Sequence, residues 1–264
     1  MNLELTNLHV LITGGSKGIG LACARGFIAE GARVTLVSRT VETLQSAQRE
    51  LQGVALGAAV NIIAADLRDA AEAERMVEAV ERDFGPVDVL VNSAGAAKRT
   101  PAAELTAASW HDAMQAKFFT YIHVINPLIK RMGERGRGAV VNVIGAGGKV
   151  AAVTHLAGGS ANAALMLASA GLASAYASKG VRVNAVNPGL TLTERLHEGM
   201  QAEARQQGIG MEEALTRAKA TRPLGRIAEP GEIADAVVYL ASNRASYITG
   251  AVVAMDGVVT PMVV

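Results

Sequence analysis

The stretch Thr13-Gly14-Gly15-Ser16-Lys17-Gly18-Ile19-Gly20 decides the fold. An apolar run, His9-Val10-Leu11-Ile12, precedes it, and a helical pattern from Leu21-Ala22-Cys23-Ala24 to Phe27-Ile28 follows. A glycine turn between a strand and a helix lets backbone N–H groups approach a pyrophosphate, with the positive end of the helix dipole facing the phosphates. Gly14, Ser16, Lys17, Gly18, Ile19 and Gly20 are therefore candidate nucleotide contacts. An isolated glycine triplet would fit an ordinary turn equally well; the strand before it, the helix after it and its place near the N-terminus separate the two readings.

Working outward, apolar strand runs fall at 8–12, 33–38, 60–65, 87–92, 138–144, 181–186 and 251–255. Helical patterns lie between them at about 17–30, 41–52, 70–84, 104–133, 159–178 and 230–241. Such alternation predicts an α/β fold: a Rossmann-like, doubly wound parallel sheet of about seven strands with helices on both faces. No linker or repeat interrupts it, so residues 1–264 are expected to form a single domain. One segment breaks the rhythm. Residues 194–226 are polar, helical and punctuated by Gly208, Gly210 and Pro223. They follow the sixth strand, at the carboxyl edge where such sheets bind ligands, and are expected to form a substrate lid; a plain surface helix pair is the alternative.

Charge at the end of the second strand reads on the cofactor. Sheets that bind NAD place a carboxylate there to hold the ribose hydroxyls. Here the strand ends Leu36-Val37-Ser38-Arg39, without one. Arg39 and Ser38 offer donors to a 2′-phosphate, and Lys17 adds a positive charge from the turn, so NADP(H) is favoured over NAD(H). Either cation alone would also fit a solvated surface charge.

Three further segments extend the pattern over nearly the whole chain: Asn92-Ser93-Ala94-Gly95, Val181-Arg182-Val183-Asn184-Ala185-Val186-Asn187-Pro188-Gly189, and Thr249-Gly250 with Asp256-Gly257. With the glycine turn, they resemble the signatures of the short-chain dehydrogenase/reductase family. The Lys17/Arg39 pair is similar to that family's NADP-preferring pattern. The resemblance implies an adenine contact at Asp66-Leu67 and a ribose flanked by Asn92, Ala94 and Gly95. It places Pro188, Gly189, Thr191 and Thr193 around the nicotinamide amide. It also implies a homodimer or homotetramer packed through the small-residue helix at 159–178, for which an ordinary buried helix is the alternative.

The family's active site unites an Asn, a Ser and a Tyr-x-x-x-Lys pair. Tyrosine donates the proton, lysine lowers its pKa and holds the ribose, serine orients the carbonyl, and the Asn anchors a relay water. Aligned on Asn142 and the sixth-strand signature, these positions fall on Lys117 (for Asn), Gly145 (for Ser), Gly158 (for Tyr) and Asn162 (for Lys). All four are changed. Tyr176-Ala177-Ser178-Lys179 has the wrong spacing and lies at the far end of its helix, so it does not replace the pair. Lys117 and Asn162 look like a reciprocal exchange in which the ammonium has moved rather than vanished; snorkelling of Lys117 to solvent is the alternative. His155 and Ser160 are the remaining candidate catalytic groups. Gly158-Gly159-Ser160-Ala161-Asn162 also resembles the family's dienoyl-CoA reductase branch, which likewise lacks the tyrosine, though the lysine of that branch is Asn162 here. A structural histidine is the alternative for His155.

Two functions fit these residues. One is an NADP(H)-dependent oxidoreductase acting on a carbonyl, alcohol or enoyl substrate with a non-standard proton donor. The other is an inactive NADP(H)-binding sensor or partner subunit. Composition narrows the rest. The chain has 264 residues, 50% of them hydrophobic and only 3% aromatic, so the core must be aliphatic. A formal net charge of +1 gives no general attraction to nucleic acid or anionic membrane. The weakly polar stretch Asn162–Ser178 is expected to fall short of a membrane span. A single cysteine, Cys23, excludes an internal disulfide and reads as packing rather than redox chemistry. The first residues lack a signal pattern, so a cytoplasmic location is expected. No metal centre is expected.

Overall fold

The computed structural model describes residues 1–54, 57–95 and 97–261, without the side chains of 199, 202, 203 and 206. Seven strands alternate with helices: β1 His9–Thr13, α1 Gly18–Ala29, β2 Arg33–Ser38, α2 Val41–Gln52, β3 Val60–Ala64, α3 Ala70–Phe84 and β4 Val89–Asn92 come first. Then follow α4 Ala107–Ala113, α5 Thr120–Glu134, β5 Gly138–Val143, α6 Leu156–Tyr176 and β6 Val181–Pro188. The chain continues with α7 Glu194–Gln207, α8 Met211–Ala220, α9 Pro230–Ala241 and β7 Val252–Met255. The sheet is parallel throughout, in the order β3-β2-β1-β4-β5-β6-β7. Its direction of growth reverses between β1 and β4, where Thr13 pairs with Asn92. The strand ends part there and leave the crevice in which such sheets bind ligands.

Strand side chains alternate between faces with period two. Val10 and Ile12 join one core with Phe27 of α1, Leu44 of α2 and Val237 of α9. Leu11 points the other way, into a core with Met76 of α3, Val124 and Ile125 of α5 and Leu165 of α6. Both cores are aliphatic, as the composition requires; Tyr121 and Phe27 are the bulkiest fully buried side chains. Cys23 is among the buried core residues, and burial pushes its thiol pKa up to about 12, which leaves it inert.

Two elements depart from expectation. The single helix expected over 104–133 is instead a turn of 3-10 helix at Ala102–Glu104, then α4, a π-helical segment Met114–Phe119, and α5. Thr106 caps α4 by accepting from Ser109 N at 3.2 Å, and so sets its start after the turn. The second departure is α6, which starts at Leu156. With its trailing 3-10 turn the helix runs Leu156–Lys179, 24 residues, and by length and composition alone it is long and apolar enough to cross a membrane. The expected stretch Asn162–Ser178 is only part of this helix. In this fold the helix lies on β6 and the π-helical segment, with Leu165, Ser169 and Ala173 inward.

Candidate active site

Two adjoining cavities open along the carboxyl edge of the sheet, of about 610 and 840 Å³. Ile19, Ser93, Gly95, Thr193 and Arg195 border both. The first is walled by the glycine turn (Gly14, Ser16, Lys17, Gly18), by Ser38 and Arg39 after β2, by Asp66 and Leu67 after β3, and by Ala94. The second is walled by Lys117, Val143 to Gly145, Pro188, Gly189 and Thr191, and is roofed by α7 and α8. Gly14 shows why the turn is glycine: at φ +66° a Cβ would stand 2.7 Å from the Ser93 carbonyl oxygen. Gly20 lines neither cavity and serves the close packing of α1 on the turn.

The structure takes one expected residue out of the crevice and brings two others to its wall. Asn92 is fully buried rather than beside the crevice. Its side chain accepts from Thr13 Oγ1 at 3.2 Å and donates to Asn142 Oδ1 at 3.0 Å; Asn142 in turn donates to Ser169 Oγ at 2.9 Å. This relay ties β1, β4, β5 and α6 behind the site, so Asn92 supports the fold while its neighbour Ser93 faces both cavities. Arg68 is the second addition; it lines the first cavity and forks onto the Asp66 carboxylate, which it holds below the usual carboxylate range. No sequence pattern separated Arg68 from an ordinary surface arginine. Lys17 reaches Glu194 at 3.4 Å, an exposed pair of little energetic weight.

Lys117 sits in the π-helical segment and is 8% exposed. Its Nζ donates to the Tyr121 hydroxyl at 2.8 Å and to the Val143 carbonyl at 3.1 Å, and lies 4.5 Å from the Tyr121 ring centre. An ammonium carries three hydrogens, so one remains for the cavity that Lys117 lines. Burial, reinforced by the Arg195 charge, brings its pKa down to about 7. Snorkelling is thereby excluded. π-Helical turns inside α-helices recur at functional sites, and here one aims a lysine at the end of β5.

Asn162 is also buried and approaches the same strand end from α6, its Nδ2 3.3 Å from the place a Cβ would take on Gly145. Lys117 and Asn162 therefore converge on one strand end, though Asn162 itself lines neither cavity. Gly145 has φ +132°, a conformation that side-chain-bearing residues rarely adopt, so a serine there would be strained. Gly158 is blocked in a different way. The His155 ring lies over it, and a Cβ at Gly158 would run into Cε1 and Nε2 of that ring. His155 is half-buried at the N-cap of α6, and its Nδ1 is buried without a partner. Burial, then the charges of Arg99, Arg195 and Lys117, lowers its pKa, which keeps the imidazole neutral. His155 lines neither cavity, whereas Lys117 lines the second. Ser160 is exposed on the outer side of α6 and lines neither cavity; its expected place in the site is not met.

The 194–226 segment forms an α7–α8 hairpin turned at Gly208, φ +65°, around a small core of Met200, Ala204 and Ala214. Thr193 caps α7 by accepting from Leu196 N. The hairpin contributes Met200, Ala214, Arg217 and Ala218 to the second cavity.

Comparison with known proteins agrees with this geometry. Residues 14–260 match the family model described as Enoyl-(Acyl carrier protein) reductase. D-threitol dehydrogenase of Mycolicibacterium smegmatis is 34% identical, over 97% of this chain and 94% of its own. L-sorbose reductase from Gluconobacter frateurii, complexed with NADPH and L-sorbose, superposes with a TM-score of 0.94 at 30% identity, covering 100% of both chains. An NADPH-bound short chain oxidoreductase from Pseudomonas aeruginosa, described as containing an atypical catalytic center, has a TM-score of 0.88 at 31% identity over 98% of this chain and 100% of that one. Sequence motifs, parallel sheet and relatives agree: the chain belongs to the short-chain dehydrogenase/reductase family.

Proposed function

We propose that the chain is an NADP(H)-dependent oxidoreductase that interconverts a carbonyl and an alcohol, or reduces an enoyl group, with Lys117 handling the proton. The cradle fits a dinucleotide. Glycine at 14 lets the turn close against Ser93, the turn walls the first cavity beside the N-terminus of α1 where a pyrophosphate would bind, and Ser38 and Arg39 line the same cavity without a ribose-binding carboxylate after β2. Thr191 and Thr193, with Pro188 and Gly189, border the second cavity, where the nicotinamide amide would find partners. When bound, the nicotinamide supplies or accepts the hydride.

The chain's own residues supply the rest. The observation that carries the reading is Lys117: a buried ammonium, lining the cavity, with a pKa of about 7. A group poised near neutrality is a good general acid–base. In the reducing direction its free hydrogen meets the substrate oxygen, stabilises the charge that develops there and passes across, leaving a neutral amine. Tyr121 and the Val143 carbonyl fix the amine while it does so. The amine regains its proton through the open cleft.

The test is Lys117→Met, with a panel of ketoses, polyols and enoyl thioesters followed by NADPH absorbance. Turnover is expected to fall about 10²–10⁴-fold, the usual loss for a general acid, with NADPH affinity changed only a few-fold. Turnover unchanged in Lys117→Met would reject the assignment. A wild-type protein that binds NADPH tightly but turns over no substrate in the panel would favour the sensor or partner-subunit role.

A further inference from the structure

Six cationic side chains line the second cavity: Lys98, Arg99, Lys117, Arg195, Arg217 and Arg222. Among the described residues no carboxylate lines it. Arg217 is matched outside the cavity, donating to Glu213 at 2.6 Å. Arg195 feels Glu198 on its own helix, but burial and the neighbouring Arg99 charge weigh more and lower its pKa. Lys98, Arg99 and Arg222 form no ion pair among the described residues, and Arg222 Nε is buried without a hydrogen-bond partner.

Cations gathered in one cleft repel each other, the more strongly the less water separates them. Arg195 depresses the pKa of Lys117, and Arg99 that of Arg195, so the repulsion is felt across the cavity. A bound anion would relieve it. The cofactor's phosphates do not account for the whole cluster. Arg195 borders both cavities, but Lys98, Arg99 and Arg222 border only the second. Guanidinium groups there offer planar, forked donors to an oxyanion.

We infer that the substrate of this site bears an anionic group, a carboxylate or phosphate on a small carbonyl or hydroxyl compound, held by Arg99, Arg195 and Arg222. The carbonyl part rests on the oxidoreductase reading; the anion part stands on the cavity alone. Held by its acidic end at the lid side, such a compound would present its other end to Lys117.

The experiment uses protein saturated with NADPH, so that the Lys17/Arg39 end is occupied. Calorimetric titrations with D-gluconate, inorganic phosphate and neutral sorbitol should show the two anions binding at least roughly tenfold more tightly than sorbitol, with affinity falling as salt rises. Arg99→Ala and Arg222→Gln should each weaken anion binding about tenfold or more while leaving NADPH affinity unaltered. No preference for the anions over sorbitol, or anion affinity untouched by both substitutions, would overturn the inference. Anion binding without NADPH oxidation by 5-keto-D-gluconate upholds the anion pocket and counts against the redox reading. NADPH oxidation by neutral L-sorbose with no anion preference does the reverse.

Discussion

At the residue scale, Gly145 and Gly158 are each constrained by their surroundings. A side chain at Gly158 would run into the His155 ring, and one at Gly145 would be strained by its φ. Restoring the family residue singly is therefore expected to fail. Gly158→Tyr should destabilise the fold by about 1–3 kcal/mol or more through overpacking, and adding His155→Gly should recover part of that loss; thermal unfolding of the single and double variants decides it. Lys117 makes a second prediction, with a definite sign. Its folded pKa lies below its unfolded value, so the folded state resists the proton that the unfolded chain accepts. The penalty is full below about pH 7 and is relieved as pH rises from there towards the ordinary lysine value of 10.5. Lys117→Met should thus stabilise the protein at pH 6 and much less at pH 10, by denaturant unfolding. In catalysis the same titration should make carbonyl reduction fall as pH rises through about 7, since only the ammonium donates. Arg39 gives the third: Arg39→Asp should lower NADPH affinity about 10–100-fold, the worth of a charge-assisted hydrogen bond or two, and shift preference towards NADH.

At the element scale, what the sequence disclosed and what it hid divide along physical lines. The β-strands are legible because parallel strands buried on both faces read as continuous apolar runs, as Val10-Leu11-Ile12 and Val89-Leu90-Val91 do. The glycine turn was legible because its chemistry is local. The π-helical segment was not: Met114–Phe119 has ordinary helical composition, and the extra residue in its turn is set by what it packs against on α6 and β5. Asn92 was misassigned for a similar reason. Its neighbours in sequence lie along the crevice, but alternation along β4 turns its own side chain inward to Thr13 and Asn142. That Lys117 and Asn162 lie near one strand end is readable from their positions; the Gly158–His155 packing is not, since it depends on where α6 begins. The α7–α8 hairpin belongs to this scale too. It has its own small core and lines the second cavity, and we propose that it closes over that cavity as a unit. Proteolysis at the Gly208 turn should slow when NADPH and an anionic substrate analogue are both bound; an unchanged cleavage rate would mean that the hairpin is a fixed roof.

At the scale of the whole molecule, one surface remains without a partner. The outer side of α6 exposes Ala163, Leu167, Ala170, Gly171 and Ser174, spaced as one helical face, and Leu167 is 77% exposed. A Cβ on Gly171 would meet nothing within 4 Å, so the face is open. The same helix is apolar enough by composition to enter a membrane, yet its inner side is committed to β6 and to the wall behind Asn162. Small residues on a helical face allow another helix to approach closely, and covering Leu167 alone is worth about 1.5–3 kcal/mol per subunit. A second copy of the chain is the natural occupant, because the face would then cover itself about a two-fold axis. Such an interface would also brace the element that carries Asn162 and His155, so assembly and site geometry would be linked. Light scattering at micromolar concentration should give at least twice the 27.2 kDa of one chain, and Leu167→Glu should shift the population towards monomer with reduced turnover. A wild-type protein that scatters as a monomer would leave this face uncovered and the idea wrong.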